Sequence, residues 1–233
     1  MESAEIDRYI KESINIIKTN IGPIWVITAL GLLSSINFLF PENIVSRIIN
    51  SVCFFAVIIA KAIIFGFYYE ITENKYSSIA EIAHNYILHY LFLVICMLIP
   101  GIILGFFLIL LQIYIFPETN EIVIFEIIFL AFSLLYLYVV PIFYMTNKIL
   151  SSIILGVIFI YKNLILSKKI ILIALASNAI LIISKLHMVW LLNLNKILYI
   201  IFAFGIYIAT YTINFILFIT MIFILRNKKQ TNA

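Results

Sequence analysis

The sequence predicts an all-α integral membrane protein: six transmembrane helices in three hairpins, each hairpin preceded by an interfacial amphipathic helix. Composition is the first observation, because 65% of the residues are hydrophobic, 11% are charged and the mean hydropathy is +1.18. A soluble domain averages about half apolar and a quarter charged residues, so lipid must be the solvent for most of this chain. The second observation is a repeat, since an amphipathic stretch followed by two long apolar segments occurs in each of the units 1–74, 75–147 and 148–225. We therefore predict a single polytopic membrane domain over 1–233, with a short tail at 226–233.

Six apolar segments are long enough to cross the hydrocarbon core, which takes about 20 residues of helix. They are 21–40, 51–70, 88–115, 121–145, 169–188 and 198–225. Lipid offers the backbone no hydrogen-bond partners, and these runs lack the apolar–polar alternation of barrel strands. The sequence therefore predicts that all six are helices.

The basic residues predict the orientation of the chain. A cytoplasmic N-terminus places most of them on the inner side, namely Arg8, Lys11, Lys18, Lys75, Lys148, Lys162, Lys168, Lys169, Arg226, Lys228 and Lys229. Arg47, Lys185 and Lys196 fall outside, and Lys61 lies within a span. Because Lys and Arg concentrate in cytoplasmic loops, both termini are predicted to be cytoplasmic. The heavy use of Ile, Asn and Lys is typical of an AT-rich genome, so we expect a prokaryotic plasma membrane.

The first amphipathic stretch, 3–20, has two distinct faces on a helical wheel. Its apolar side carries Ile6, Tyr9, Ile10, Ile14 and Ile17. The opposite side carries Asp7, Arg8, Lys11, Glu12, Asn15 and Lys18. This pattern is typical of a helix that lies in the plane of a membrane interface.

The second amphipathic stretch begins at Ser78-Ile-Ala-Glu81. This spacing is a capping box, which predicts a helix start at that point. The apolar side that follows consists of Ile79, Ile82, Ala83, Tyr86 and Ile87, and it opposes Glu81, His84 and Asn85. We expect this helix to continue into the third span without a break.

The third amphipathic stretch, around 147–163, has only a narrow polar stripe formed by Lys148, Ser151, Ser152, Lys162 and Asn163. Its uninterrupted apolar core, 153–161, is too short to cross a membrane alone, so an interfacial helix is predicted. A seventh span over 149–166 is the alternative. It would place Lys148 and Lys168 on opposite sides of the membrane and weaken the charge asymmetry.

This arrangement resembles the membrane-domain family that is fused to some glycerophosphoryl diester phosphodiesterases, and its stand-alone six-span relatives of unknown function. The resemblance covers most of the chain. It is carried by the interfacial helix before each hairpin, by a span that ends near Gly66-Phe-Tyr-Tyr, and by a polar turn that ends in Tyr76-Ser-Ser-Ile-Ala-Glu81. It implies a helical membrane module with no established activity of its own. No soluble segment is long enough to hold the phosphodiesterase domain, so that chemistry is not carried over.

No catalytic constellation is found in the sequence. Asp7 is the single aspartate, which excludes the paired-aspartate metal sites of many phosphotransfer enzymes. Phosphate-binding glycine loops, His-Glu-x-x-His helices and Gly-x-Ser-x-Gly elbows are absent. The remaining candidates lie on different spans or different helix faces, and they are Cys53, Cys96, His84, His89 and His187. We therefore predict no enzyme activity, no metal, no cofactor and no nucleic-acid partner.

Lys61 occupies the position with the highest cost in free energy for a charged side chain. Apolar residues flank it on both sides near the middle of the second span. A charge at that depth costs about 2.5 to 3.5 kcal/mol, so Lys61 should face the interior of the bundle. Polar residues at similar depth are Asn178, Tyr211 and Asn214, with Glu126 nearer the outer side. We predict that Lys61 meets some of these residues in a buried polar cluster. The alternative is purely structural: Lys61 snorkels, and the amides and Tyr211 join neighbouring helices.

Two classes of function fit these observations. The first is a non-enzymatic membrane module that binds lipid or a protein partner, with its amphipathic helices as the working surface. The second is a transporter or ABC-type permease subunit, with a midplane polar site around Lys61. Membrane lipids are the expected partners, together with a protein partner or a second copy of the chain.

Overall fold

The computed structural model describes residues 3–36, 44–75, 77–115 and 121–231. Within these ranges it does not describe the side chains of 3, 34–36, 100–101, 104–105, 107–115, 121–133, 163–167, 181, 185–190, 192 and 228–231. Every element in the described ranges is an α-helix. The helices are α1 (Ser3–Thr19), α2 (Gly22–Ile36), α3 (Ile44–Thr72), α4 (Ile79–Ile115), α5 (Glu121–Thr146), α6 (Ile149–Leu194) and α7 (Lys196–Thr231).

Three helical segments are long and apolar enough to cross a membrane within the described part of the chain. They are Ile44–Thr72, Ile79–Ile99 and Lys196–Asn227. A fourth results if α1 and α2, which meet at an angle of 78°, form one broken span. The predicted spans 21–40, 121–145 and 169–188 each include residues or side chains outside the described set. An all-helical protein with several membrane-length helices is therefore established, and the count of six spans stays a prediction.

Local sequence signals account for the helix ends. At the start of α4, the Ser78 amide donates to Glu81 Oε2 (2.8 Å) and the Glu81 amide donates to Ser78 Oγ (3.3 Å), which confirms the predicted capping box. The Asn195 side chain caps α7 by accepting hydrogen bonds from the amides of Ile197 and Leu198. Asn147, with φ of 53°, follows the end of α5 in the left-handed conformation that asparagine tolerates.

The amphipathic stretches of the second and third units are each continuous with the helix that follows. Helix α4 runs without a break from the capping box to Ile115, as predicted. Helix α6 is a single helix of 46 residues, so the stretch around 147–163 and the predicted span 169–188 belong to one element. We call residues 149–162 the leading segment of α6. No proline or glycine lies between 157 and 194 to interrupt the helix.

Helix α7 is the centre of the bundle, because it contacts α1, α2, α3, α5 and α6. Half of its most apolar 18-residue window is buried inside the molecule, against 28% in α4 and 17% in α3. Each predicted hairpin pair is also in contact: α2 with α3, α4 with α5, and α6 with α7. Helix α1 lies against the last part of α7, where Tyr9 stacks on Phe223 at a centroid distance of 5.7 Å.

One end of the bundle gathers most of the described polar contacts, and we call it the polar end. It comprises α1, the α3–α4 turn, the α5–α6 turn and the last turns of α7. The Tyr68 hydroxyl donates to the Asn20 carbonyl (2.8 Å) and so ties the α1–α2 bend to α3. Arg226 Nη1 donates to the Thr72 carbonyl (2.7 Å) and ties α7 to the end of α3. Long-range hydrogen bonds therefore fix how four helices meet at this end.

Candidate functional site

An aromatic core fills the space between α3, α4, α5 and α7. Phe65 lies at its centre, with ring centroids 4.6 Å from Phe218, 5.0 Å from Phe215 and 6.2 Å from both Tyr90 and Tyr144. Tilted and edge-to-face pairs at these separations are favourable beyond their buried area. The core holds the four helices in a fixed arrangement.

Three tyrosine hydroxyls in or beside this core form hydrogen bonds to other helices. The Tyr144 hydroxyl donates to the Ala62 carbonyl (2.7 Å), and the hydroxyls of Tyr90 and Tyr136 share a hydrogen bond (2.6 Å). Buried polar groups are stabilising when paired in this way. These tyrosines therefore have a structural role that their contacts explain.

Lys61 and Tyr211, two members of the predicted polar cluster, lie next to each other. Lys61 Nζ is 5.8 Å from the centroid of the Tyr211 ring, a cation–π contact between α3 and α7. Tyr211 is 8% exposed and stacks on Tyr207 at 6.1 Å. Gly31 of α2 completes the enclosure, because a Cβ atom there would lie 3.2 Å from the Tyr211 hydroxyl oxygen. Among the described residues, Lys61 has neither a carboxylate partner nor a hydrogen bond.

The other predicted members are not joined to Lys61 by any described contact. Asn178 is buried in α6, and Asn214 is half-buried in α7, three residues beyond Tyr211. Glu126 belongs to the part of α5 whose side chains are not described. The described structure thus brings together one pair of the five residues.

Glu70 is a polar residue that the sequence analysis did not single out. It lies in the last turn of α3 and is 5% exposed. Its Oε2 atom is buried without a hydrogen-bond partner in the described structure. Gly66, one turn earlier on the same face, is the sequence signal for this burial, because a small residue allows α4 to approach closely.

Arg226 does not pair with Glu70, although it lies at the same end of the bundle. Its Nε atom lies 3.4 Å from Glu73 Oε1, and its Nη1 atom is bound to the Thr72 carbonyl. Glu73 is thus neutralised one turn beyond Glu70. The last turn of α3 therefore combines one paired and one unpaired carboxylate.

A groove of ≈ 320 Å³ opens at the polar end between α5, the leading segment of α6 and the last part of α7. Its walls are almost wholly apolar, and they are formed by Ile142, Met145, Thr146, Leu155, Ile158, Phe159, Lys162 and Leu225. Lys162 is the single charged residue in this lining. Lys162 lies on the polar stripe expected from the sequence, but the groove requires three helices to meet and is not encoded by any local pattern.

The groove opens onto a surface that is itself apolar. In the leading segment of α6, Leu150 is 72% exposed, Ile154 51% and Tyr161 86%. The inward side of the same segment carries Ser152 and Gly156, both buried against α5. Bulky apolar side chains therefore point away from the protein around the groove.

The cysteine and histidine side chains form no metal site within the described residues, where no group of three or more potential ligands converges. Cys53 and Cys96 are half-buried free thiols, and His84 and His89 are exposed. His187 lies outside the described side chains.

Comparison with known proteins found no matching family model, no matching curated protein and no matching solved structure. The resemblance to the membrane domain of glycerophosphoryl diester phosphodiesterases therefore stays a prediction from the sequence pattern.

Proposed function

We propose that this protein is a non-enzymatic polytopic membrane module that binds lipid at its polar end. The observation that carries the proposal is the groove between α5, α6 and α7, with apolar walls and a lysine in the lining. Apolar walls match a hydrocarbon chain, and because a bilayer chain already has an apolar solvent, close packing against the walls supplies the binding. Exposed apolar side chains, among them Leu150 and Tyr161, lie on the same helical segment as the groove residues.

The proposal includes a six-span topology with both termini in the cytoplasm of a prokaryotic cell. Span length and the asymmetry of the basic residues support it. Two ion pairs agree with it, because Lys169 pairs with Asp7 and Arg226 pairs with Glu73, and all four residues are expected on the inner side. Labelling of a cysteine placed at position 163 from outside intact cells would contradict this topology.

Filling the groove provides the test of lipid binding. Ile158 lines the groove and is 41% exposed, so Ile158→Trp should occupy the space in which the chain would lie. Ile154→Trp is the matched control, because Ile154 lies one turn earlier, is 51% exposed and does not line the groove. Native mass spectrometry of the full chain, released from vesicles of one phospholipid, measures the number of lipids retained.

We expect the wild-type protein and Ile154→Trp to retain the same lipid, and Ile158→Trp to lose it while keeping its unfolding temperature. Equal retention in all three proteins would refute lipid binding in this groove. A particle of two chains without bound lipid would show that a second copy covers the groove instead.

A transporter or permease subunit is the second candidate, and the environment of Lys61 favours it. A lysine within a predicted span, with no anionic partner among the side chains that the structure describes, is a functional-site hypothesis by default. Lys61→Met keeps the length of the side chain and removes its charge. If Lys61 belongs to a binding or transport site, the variant should be at least as stable as the wild type. If its cation–π contact is structural, the variant should lose about 1 kcal/mol in the free energy of unfolding. The unfolding midpoint in bicelles separates these outcomes.

A further inference from the structure

We infer that the groove selects an anionic phospholipid, whose acyl chain lies along the apolar walls and whose phosphate is bound by Lys162. This inference rests on the proposed function and specifies the class of lipid. It follows from the chemistry of the groove lining, from the different surroundings of the described lysines of α6, and from the size of the groove.

The lysines of α6 differ in what they contact. Lys169 forms an ion pair with Asp7 of α1, so its charge is already compensated. Lys162 is exposed, has no carboxylate partner among the described residues and lines the groove. Lys168 is also exposed but does not line the groove. Of these three lysines, Lys162 alone combines an uncompensated charge with a place beside an apolar wall.

The polar hydroxyl in the lining is not available to a headgroup. Thr146 Oγ1 donates to the Ile142 carbonyl (2.9 Å) and shares a hydrogen bond with Ser152 Oγ (3.1 Å). None of the described lining residues is acidic, so a choline or ethanolamine ammonium would find no anion among them and would be repelled by Lys162. A phosphodiester without a compensating ammonium, as in phosphatidylglycerol, is the complementary headgroup.

The size of the groove agrees with a single acyl chain. Its volume of ≈ 320 Å³ lies at the lower limit of small-molecule sites, which span about 300 to 1,000 Å³. A whole phospholipid is too large for it, so the headgroup must stay at the rim. Lys162 is long enough to hold its ammonium at that rim while its methylene stem covers the apolar wall.

The experiment uses the full chain, reconstituted in vesicles of equimolar phosphatidylglycerol and phosphatidylcholine with identical acyl chains. Native mass spectrometry gives the ratio of the two lipids that the protein retains. Lys162→Met removes the charge, Lys162→Arg keeps it, and Lys168→Met is the matched control on the same helix.

We expect the wild type to prefer phosphatidylglycerol about fivefold, the factor that one lysine near an anionic lipid contributes. Lys162→Met should lower this ratio to about one, whereas Lys162→Arg and Lys168→Met should keep it.

Three results would overturn the inference. An unchanged ratio in Lys162→Met would show that Lys162 does not bind the headgroup. An equal loss in Lys168→Met would show that the preference arises from the overall positive charge and not from the groove. If lipid is retained and displaced by Ile158→Trp but shows no headgroup preference, the inference fails and the proposed function stands. If Ile158→Trp displaces no lipid, the proposed function itself fails.

Discussion

Helix α1 and the leading segment of α6 are both predicted to be interfacial amphipathic helices, but α1 exposes a polar face and the leading segment exposes an apolar face. Each is attached to the bundle by a buried serine: Ser13 shares a hydrogen bond with Thr220 (2.9 Å), and Ser152 shares one with Thr146 (3.1 Å). The outward face of α1 is polar and carries Arg8, Lys11, Glu12, Asn15 and Lys18. The outward face of the leading segment carries Leu150, Ile154, Val157 and Tyr161.

The difference shows that an amphipathic pattern defines two faces without defining what each face contacts. In α1 the centre of the apolar face is covered by α7, so the fully exposed face is mainly polar. In the leading segment the small residues Ser152 and Gly156 meet α5, so the bulky apolar residues are left outside. We expect α1 to lie at the water side of the interface and the leading segment to contact lipid.

The largest effect should follow from Gly156→Leu, which attacks the contact between the leading segment and α5. A Cβ atom at 156 would lie 2.6 Å from Val139 Cγ2 and 3.2 Å from Val139 Cα, so the backbone itself must move. We expect a loss of about 3 kcal/mol or more in the free energy of unfolding. The unfolding midpoint in bicelles measures it. Gly205→Leu is the control, because nothing lies within 4 Å of the added Cβ.

The attachment of α1 should survive this change, since it depends on α7. Protease accessibility of α1 should therefore be the same in Gly156→Leu and in the wild type. Simultaneous release of α1 would mean that the two attachments are coupled and that α1 is not held by α7 alone.

The second largest effect should follow from placing a negative charge on the outward face of the leading segment, with α1 as the comparison. Ile154→Asp places a carboxylate on the exposed face of the leading segment, and Asn15→Asp places one on the exposed face of α1. An aspartate in lipid costs about 2.5 to 3.5 kcal/mol at the centre of a span and less towards the interface. We expect Ile154→Asp to lower the unfolding midpoint in bicelles and Asn15→Asp to leave it unchanged. Equal midpoints in the two variants would place both faces in water.

Local features of the fold were predictable from the sequence because neighbouring residues determine them. The capping box at Ser78 and Glu81 needs only a spacing of three residues, and it forms as predicted. The apolar side of α1 was identified from its period, and Ile6, Tyr9 and Ile17 are buried. Ile10 and Ile14 are only half-buried, because α7 covers a narrower stripe than the helical wheel suggests.

Long-range contacts were predictable only for a residue whose exposure to lipid would cost much free energy. The depth of Lys61 required an inward orientation, and Tyr211 is its described neighbour. Glu70 gave no such signal, since a carboxylate at the end of a span is ordinary when water reaches it. Gly66 permits the close approach of α4 at this position, but the pairing of Arg226 with Glu73 instead of Glu70 is a long-range contact that no local pattern encodes.

A smaller effect should follow from removing the serine of either attachment. Ser13→Ala and Ser152→Ala each delete one buried hydroxyl, and the partners keep a second hydrogen bond: Thr220 to the Ile216 carbonyl and Thr146 to the Ile142 carbonyl. Because no partner is left unsatisfied, each change should cost only about 1 kcal/mol. Denaturant titration in mild detergent measures the two losses, which we expect to be similar. Exposed Ser51→Ala is the control.

A loss of unfolding free energy well above that of the other serine variant would show that the two attachments are not equivalent. It would identify the helix whose position depends on the serine rather than on the surrounding apolar contacts.

The smallest effect should come from the ion pair between Asp7 of α1 and Lys169 of α6, the described salt bridge that joins these two helices. Both side chains are nearly half exposed, at 47% and 44%, so solvent screens the attraction. Exposed pairs contribute about 0.2 to 1 kcal/mol, and we expect Lys169→Gln to fall in that range at low salt. The loss should disappear in high salt, where the Debye length shortens to a few ångströms. Lys168→Gln, a neighbouring exposed lysine without a described carboxylate partner, should have no effect at either ionic strength. A salt-independent loss above 1 kcal/mol would mean that this pair, and not the apolar face of α1, holds the helix to the bundle.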